Sequence, residues 1–319
     1  MAAHRSDRFG DLTDEHIWHL VRSLESLHEG ELGIAVLVGV GERAIGPLRE
    51  FLLLGKPASI AKPRERAVRA LAELGAKDVL LEYLRLSKQI ADPSIRLGEE
   101  AVENTAARAL GRWLTEDVFC ELLYLAEWRP LAGALETLGA FRRPEAIPCF
   151  VRALGDDVSH RAAEDALRAM SNIAWPVLID AARTPDPSRQ LESPSSRLRR
   201  VRALRLLANA GLPSENWPAL EPLIFESDHE LAATACRIAL QIGPETICAK
   251  AVRRLFEAMG AADWFVKSEI EDSFCEQYAK VKDEIRNEIE RRRCSPQPHL
   301  DPALPVLLAI QRRVVEDQS

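Results

Sequence analysis

"LGAFRRPEAIPCFVRALGDD", residues 138 to 157, carries a helix together with both of its boundaries. Leu138-Gly139 reads as the end of a preceding helix. Pro144-Glu145 reads as a start, an apolar stripe follows, and Gly155-Asp156-Asp157 reads as a second stop. The same stop recurs as "ALAELG" (70–75) and "ALETLG" (134–139), and in weaker form as "ALGRWL" (109–114), "ALRAMS" (166–171), "LLANAG" (206–211) and "IALQIG" (238–243). An earlier stop lies at Gly41. From Gly41 to Gly243 the spacing averages about 34 residues, a period that marks stacked supersecondary units.

Each unit reads as two helices. A first helix opens shortly after each stop, as in "ERAIGPLREFLLL", "AKDVLLEYLRLS" and "TEDVFCELLYLAE". A second helix climbs to the next stop, as in "RERAVRALAELG", where Ala67, Val68, Leu71 and Leu74 repeat at helical spacing. Prolines and acids gather in first turns and glycines follow last turns, as helix ends require. Neither helix is stable alone; stacking on neighbours buries the apolar faces. The loops "GKPASIAKP", "SKQIADPSIRLG" and "TPDPSRQLESPSS" each separate a first from a second helix, so they are expected along one edge. At the N-terminal end, Thr13 is expected to cap a helix with the stripe Ile17, Leu20, Val21 and Leu24. Beyond Phe256 comes a longer, more charged helical region, then the proline-broken "SPQPHLDP" and a last short helix around 303–315.

Composition narrows the function. Of 319 residues 47% are hydrophobic and only 6% aromatic, with Ala and Leu dominant, which favours helix over strand. Lys and Arg number 42 against 49 Asp and Glu, a formal charge of −7. That balance argues against broad, sequence-independent nucleic-acid binding, although it leaves room for a local basic patch. Six cysteines without a C-x-x-C pair, mostly among apolar residues, read as buried reduced thiols. The polar start "MAAHRSDRFGD" has no apolar signal core, and no apolar run reaches the ~20 residues a bilayer span needs. A cytoplasmic location is the expectation.

"LGAFRRPEAIPCFVRALGDDVSHRAAEDALRAM" resembles HEAT repeats, in particular the subtype first described in phycobilin lyases; the resemblance covers roughly residues 34–256. It implies an all-α fold, a right-handed α-solenoid of about seven helix pairs with helical caps. The expected division is a flexible N-terminus and capping helix at 1–33, the repeat array at 34–256 and a helical cap at 257–319. Three groups with such repeats have catalytic or ligand roles. Deoxyhypusine hydroxylases hold iron with His-Glu pairs at several second-helix starts. Here His229-Glu230 is one such pair, but Arg64-Glu65-Arg66, Glu103-Asn104, His160-Arg161 and Arg199-Arg200 stand at the sister positions, too few ligands for iron. HEAT-like alkylpurine DNA glycosylases use a basic face with Trp and Asp. The six tryptophans, among them Trp113, Trp128 and Trp175, follow the repeat's apolar positions, which points to a core role. A phycobilin-lyase-like enzyme would need a pigment-binding constellation that no Cys or acid supplies here.

Aligning the second helices on their stops places Arg69, Arg108, Gly133, Asp165, Arg205 and Arg237 in one column. Arg69, Arg108, Arg205 and Arg237 form a stripe that either grips a partner's acidic groups or bonds acids of neighbouring repeats as an internal ladder. "SSRLRRVRALR" adds a basic patch. With Leu198, Val201, Leu204 and Ala208 buried, Arg199 and Arg202 point outward. Arg197 and Arg200 fall in a first turn, where the dipole disfavours positive charge, so Asp186, Glu192 or an acidic partner should compensate. "DEIRNEIERRR" orders its charges as the helix dipole prefers and requires no function. His16 and His19 lack further metal ligands, and no nucleotide-binding or hydrolase motif is present. The expectation is a non-catalytic scaffold or adaptor, with no cofactor and no metal. It would bind a protein that presents acidic groups through Arg69, Arg108, Arg205, Arg237, Arg199 and Arg202. The alternative is a nucleic-acid-binding or DNA-repair protein using the same arginines.

Overall fold

The computed structural model describes residues 12–86, 90–186 and 191–317. Every regular element among them is a helix, and none is long and apolar enough to cross a membrane. The chain divides into two compact units, Met1–Met170 and Ser171–Ser319.

The first unit contains α1 (Asp14–Ser23), α2 (Gly30–Val40), α3 (Ile45–Leu54), α4 (Lys62–Glu73) and α5 (Lys77–Arg85). These are followed by α6 (Pro93–Leu110), α7 (Glu116–Trp128), α8 (Ala132–Phe141), α9 (Ile147–Ala153) and α10 (His160–Met170). Thr13 caps α1 by accepting the His16 amide, and Ile17, Val21 and Leu24 are buried while Leu20 is half-buried. The expected second helices α2, α4, α6, α8 and α10 pack in succession, each on the next. The first helices α3, α5, α7 and α9 form a parallel succession on their far side. Packing follows from composition: α4 buries Ala67, Val68, Ala70 and Leu71, small and aliphatic side chains that let neighbouring helices approach.

Two boundaries differ from the sequence reading. Leu138-Gly139 is not a helix end: α8 continues to Phe141, and the left-handed closing residue is Arg142, φ 52°. Gly139 serves close packing instead, since a Cβ there would lie 2.9 Å from the Cβ of Ala166 on α10. Within "SKQIADPSIRLG", whose residues 87–89 lie outside the described residues, the part from Pro93 onward is helix. Asp92 accepts the amides of Ser94 and Ile95 at 2.8 and 3.1 Å, Pro93 occupies the first turn, and α6 starts there.

The second unit contains α11 (Trp175–Arg183), α12 (Pro194–Asn209), α13 (Trp217–Leu220), α14 (His229–Ile242), α15 (Glu245–Ala261), α16 (Trp264–Glu276), α17 (Tyr278–Arg293) and α18 (Leu304–Asp317). Here α12 packs on α14, α14 on α16 and α16 on α18, while α11 covers α12 and α15 covers α14. The first helix expected after Gly211 shrinks to one α turn between tight 3-10 turns. Pro218 and Pro222 each open a new turn because neither can donate the amide that would extend the previous one. The charged region after Phe256 is broken at Gln277 into α16 and α17, and α16 stacks on α14 as the next second helix would.

The thiols are all free, but not all are buried: Cys149 and Cys236 are interior, Cys248 and Cys275 half-buried, and Cys120 and Cys294 exposed. Burial pushes the Cys236 thiol up to about 12.

Candidate interaction face

In the first unit, two members of the arginine column bridge neighbouring second helices. Arg69 on α4 grips both carboxylate oxygens of Glu31 on α2, at 2.8 and 2.6 Å. Arg66, one turn earlier and buried, shares Glu31 at 3.1 Å and donates to the carbonyls of Leu24 and Ser26. Hydrogen bonds from Arg69 and then Arg66 hold the Glu31 carboxyl below its usual range. Arg108 on α6 makes a two-pronged pair with Glu136 on α8, at 2.5 and 2.9 Å.

The column then skips α8 and α10 for a steric reason at one position. At Gly133 a Cβ would sit 2.2 Å from the backbone oxygen of Asn104 on α6, so no side chain fits. The Gly133 amide instead donates to Asn104 Oδ1 at 2.7 Å. At the next position Asp165 pairs with Arg168 on its own helix, at 2.5 Å.

In the second unit Arg205 on α12 is the most heavily engaged member. It donates to Glu230 on α14 at 2.7 Å and to Glu269 on α16 at 2.8 and 3.1 Å. Its guanidinium lies 4.9 Å from the centre of the Phe265 ring. Arg237 on α14 pairs with Glu276 on α16 at 2.9 and 3.3 Å. Each of the four arginines therefore holds a carboxylate from an adjacent second helix, and a carboxylate from outside has to displace one of these. The half-exposed pairs of Arg69 and Arg108 contribute up to about 1 kcal/mol each.

The basic patch of α12 is largely internal as well. Arg200, expected in a first turn, is the seventh residue of α12 and is buried. It donates to Glu192 at 2.8 Å, Glu226 at 2.5 Å and the Ala182 carbonyl at 2.9 Å. Glu192 is thus one of the two acids, with Glu226, that compensate this buried charge. Arg197 pairs with Asp228 and Glu230 and is itself held above its usual range, chiefly by Asp228. Arg199 is half-buried and donates to the Thr184 carbonyl at 2.8 Å; Arg202 is half-buried. Leu198, expected in the core, is also half-buried, whereas Val201, Leu204 and Ala208 are interior.

The feature that sequence reasoning missed adjoins Arg205. Trp264 and Phe265 open α16 behind the capping Asp263, whose side chain accepts the Val266 amide at 2.9 Å. Trp264 is 79% exposed and Phe265 43%, and their rings meet edge to face at 5.9 Å. Two adjacent aromatics in a first turn point in different directions, so one helix stripe cannot bury both. That adjacency was the available signal, and it was absorbed into the charged region. Trp113 is half-buried and Trp128 is 74% exposed, so the tryptophans do not all follow the core pattern.

The His229-Glu230 pair is not a ligand pair in this geometry: Glu230 is held by Arg197 and Arg205. Among the described residues no three His, Cys, Asp or Glu side chains converge to hold a metal ion. A cavity of about 330 Å³ beside α6 has Glu99 and Glu103 in its wall. Glu99 meets Arg64 and accepts the Tyr83 hydroxyl at 2.6 Å, and Glu103 meets Arg129, so the fold itself engages both carboxylates. Compared with known protein families and curated proteins, the chain matches no family model and no curated relative.

Proposed function

We propose that this protein is a non-catalytic scaffold or adaptor, a HEAT-like α-solenoid of about seven helix pairs that binds a partner protein through its second-helix face. The succession of α2, α4, α6, α8 and α10, and that of α12, α14, α16 and α18, supports the repeat reading. The observation that carries the functional reading is the Trp264–Phe265 pair. Phe265 lies against Arg205, and the exposed Trp264 meets Phe265 edge to face. Tryptophan and arginine are the residue types that most often carry interface energy, and Phe265 with Glu269 fixes the arginine beneath them. The column arginines are the register ladder of this face, with their charge spent internally. Six unpaired thiols support a reducing, cytoplasmic setting.

The test is affinity capture from nuclease-treated lysate, comparing wild type with Trp264→Ala/Phe265→Ala. Trp264 is 79% exposed, so Trp264→Ala alone should melt at the wild-type temperature, while the double variant, which also removes the Phe265 contact with Arg205, should melt slightly lower and keep its helical signal. The scaffold reading expects a defined protein partner that the variant loses. Partners retained in full by the variant, or capture that disappears with nuclease treatment, contradict it.

A further inference from the structure

Where the arginine column is interrupted, the surface is not flat. Between α8 and α10 lies a groove of about 620 Å³, floored by Gly139, Ala162 and Ala166. It exists because the two helices approach closely at Gly139 and Ala166 and carry no large side chain there. Two arginines line it, Arg142 in the left-handed turn that closes α8 and Arg161 in the first turn of α10. Both are exposed, and among the described residues neither guanidinium makes an ion pair or a hydrogen bond. That sets them apart from the four column arginines.

The carboxylates beside them are already engaged. Glu136 belongs to Arg108, and Arg168 takes both Glu164 and Asp165. The groove's own carboxylates, Glu136 and Asp165, are thus taken by Arg108 and Arg168, which leaves Arg142 and Arg161 as its two arginines without an ion pair. On α10, residues 161, 165 and 169 share one face, so the groove runs about 12 Å along that helix at 1.5 Å per residue. This length suits a short extended segment better than a single small ion. A guanidinium without a carboxylate offers one a ready pair of N–H donors, and a concave, small-residue floor lets a backbone approach.

From this geometry we infer that the α8–α10 groove binds an acidic peptide segment of a partner protein, with Arg142 and Arg161 each taking a carboxylate. The inference rests on the scaffold reading and deepens it. The acid-recognising arginines are the two that the fold leaves unpaired, not the four in register.

The experiment is fluorescence anisotropy with the full chain and a labelled twelve-residue peptide of alternating Glu and Ala. A Lys-Ala peptide of equal length and a single-stranded oligonucleotide serve as comparisons. Wild type is expected to bind the acidic peptide, with Arg142→Ala and Arg161→Ala each weakening it about tenfold, the loss of one charge-assisted hydrogen-bonded contact. Ala169→Trp, which fills the groove and removes no charge, is expected to weaken it as well. All three variants should keep the wild-type melting temperature, because both arginines and Ala169 are exposed and, among the described residues, neither guanidinium makes an ion pair or hydrogen bond.

Acidic-peptide binding that is absent in wild type, or that ignores all three variants, overturns the inference. So does tighter binding of the oligonucleotide through the same two arginines. The assay does not involve Trp264 or Phe265. Partner capture that is lost with those aromatics while the peptide ignores Arg142 and Arg161 removes the groove alone. Peptide binding that obeys the arginines while no protein is captured removes the partner-scaffold reading.

Discussion

Replacing Gly133 by alanine tests the packing that interrupts the arginine column. The added Cβ would stand 2.2 Å from the Asn104 carbonyl oxygen and 2.9 Å from its carbon. Comfortable carbon–oxygen contacts are roughly 3.3–3.6 Å, so α8 must retreat from α6 by about 1 Å. The obstacle is backbone, which cannot swing aside. Retreat also stretches the Gly133 amide bond to Asn104 Oδ1 and the Thr137 hydroxyl bond to the Ala107 carbonyl, now 2.7 and 2.8 Å. Overpacking of this kind costs about 1–3 kcal/mol and a weakened hydrogen bond about 1, while alanine's helix propensity returns about 1. The net expectation is a loss of about 2 kcal/mol. For a unit of this size that lowers the melting temperature by about 4–8 °C. Urea denaturation followed by circular dichroism measures it. Gly46→Ala is the control, since a Cβ at Gly46 meets nothing within 4 Å, and it is expected to be neutral or to stabilise by up to about 1 kcal/mol. If Gly133→Ala is as stable as wild type while the control behaves, the close approach of α6 and α8 is refuted, and with it the steric reason for the gap.

Other perturbations separate the interior charges from the ladder. Glu99→Ala leaves the buried guanidinium of Arg64 without its carboxylate and is expected to cost about 3–5 kcal/mol. Glu136→Ala, which frees a half-exposed Arg108, should cost less than about 1 kcal/mol; equal losses in urea melts would contradict the distinction. Glu31, through its bonds from Arg69 and Arg66, and Glu288, through Arg291 and Arg292, titrate below their ordinary value of 4.5, and Lys77 holds Asp117 down to about 2. Carboxyls depressed by folding stabilise the native state above their unfolded pKa, and that contribution is lost as pH falls through the folded one. Denaturation midpoints should therefore barely change from about pH 7 to 5 and should fall by about pH 3; a midpoint unchanged at the lowest value would refute the ladder's electrostatics. Brief alkylation of the folded protein should label exposed Cys294 and spare Cys236, whose buried thiol is pushed up to about 12. Equal labelling of the two would place Cys236 outside the core.

The sequence was most legible where local chemistry and periodicity agree. Proline starts, the Thr13 cap and the alanine-leucine stripes of α4, α10 and α14 mark helices because each signal acts within a turn or two. Alignment on those stops also found Arg69, Arg108, Arg205 and Arg237, and the ladder was one of two readings it left open. The residues misread are those whose role is set by a neighbour far along the chain. Gly139 resembles a helix stop, but Ala166 of α10 determines its use. Arg200 looks like solvent-facing charge until Glu192, Glu226 and the Ala182 carbonyl enclose it. Trp264 and Phe265 carry no periodic signal, and only the placement of Arg205 and Glu269 shows that they border the arginine column.

The most direct test of the central claim, that the second-helix face around Trp264 is where a protein partner docks, is site-specific photo-crosslinking. A benzophenone amino acid replaces Trp264 on α16 in one sample and Tyr124 on α7, a first helix with an exposed aromatic, in another. The account predicts a discrete protein crosslink from position 264 and none from position 124. Crosslinking from 124 alone, or none from 264 while a partner is captured, would contradict it.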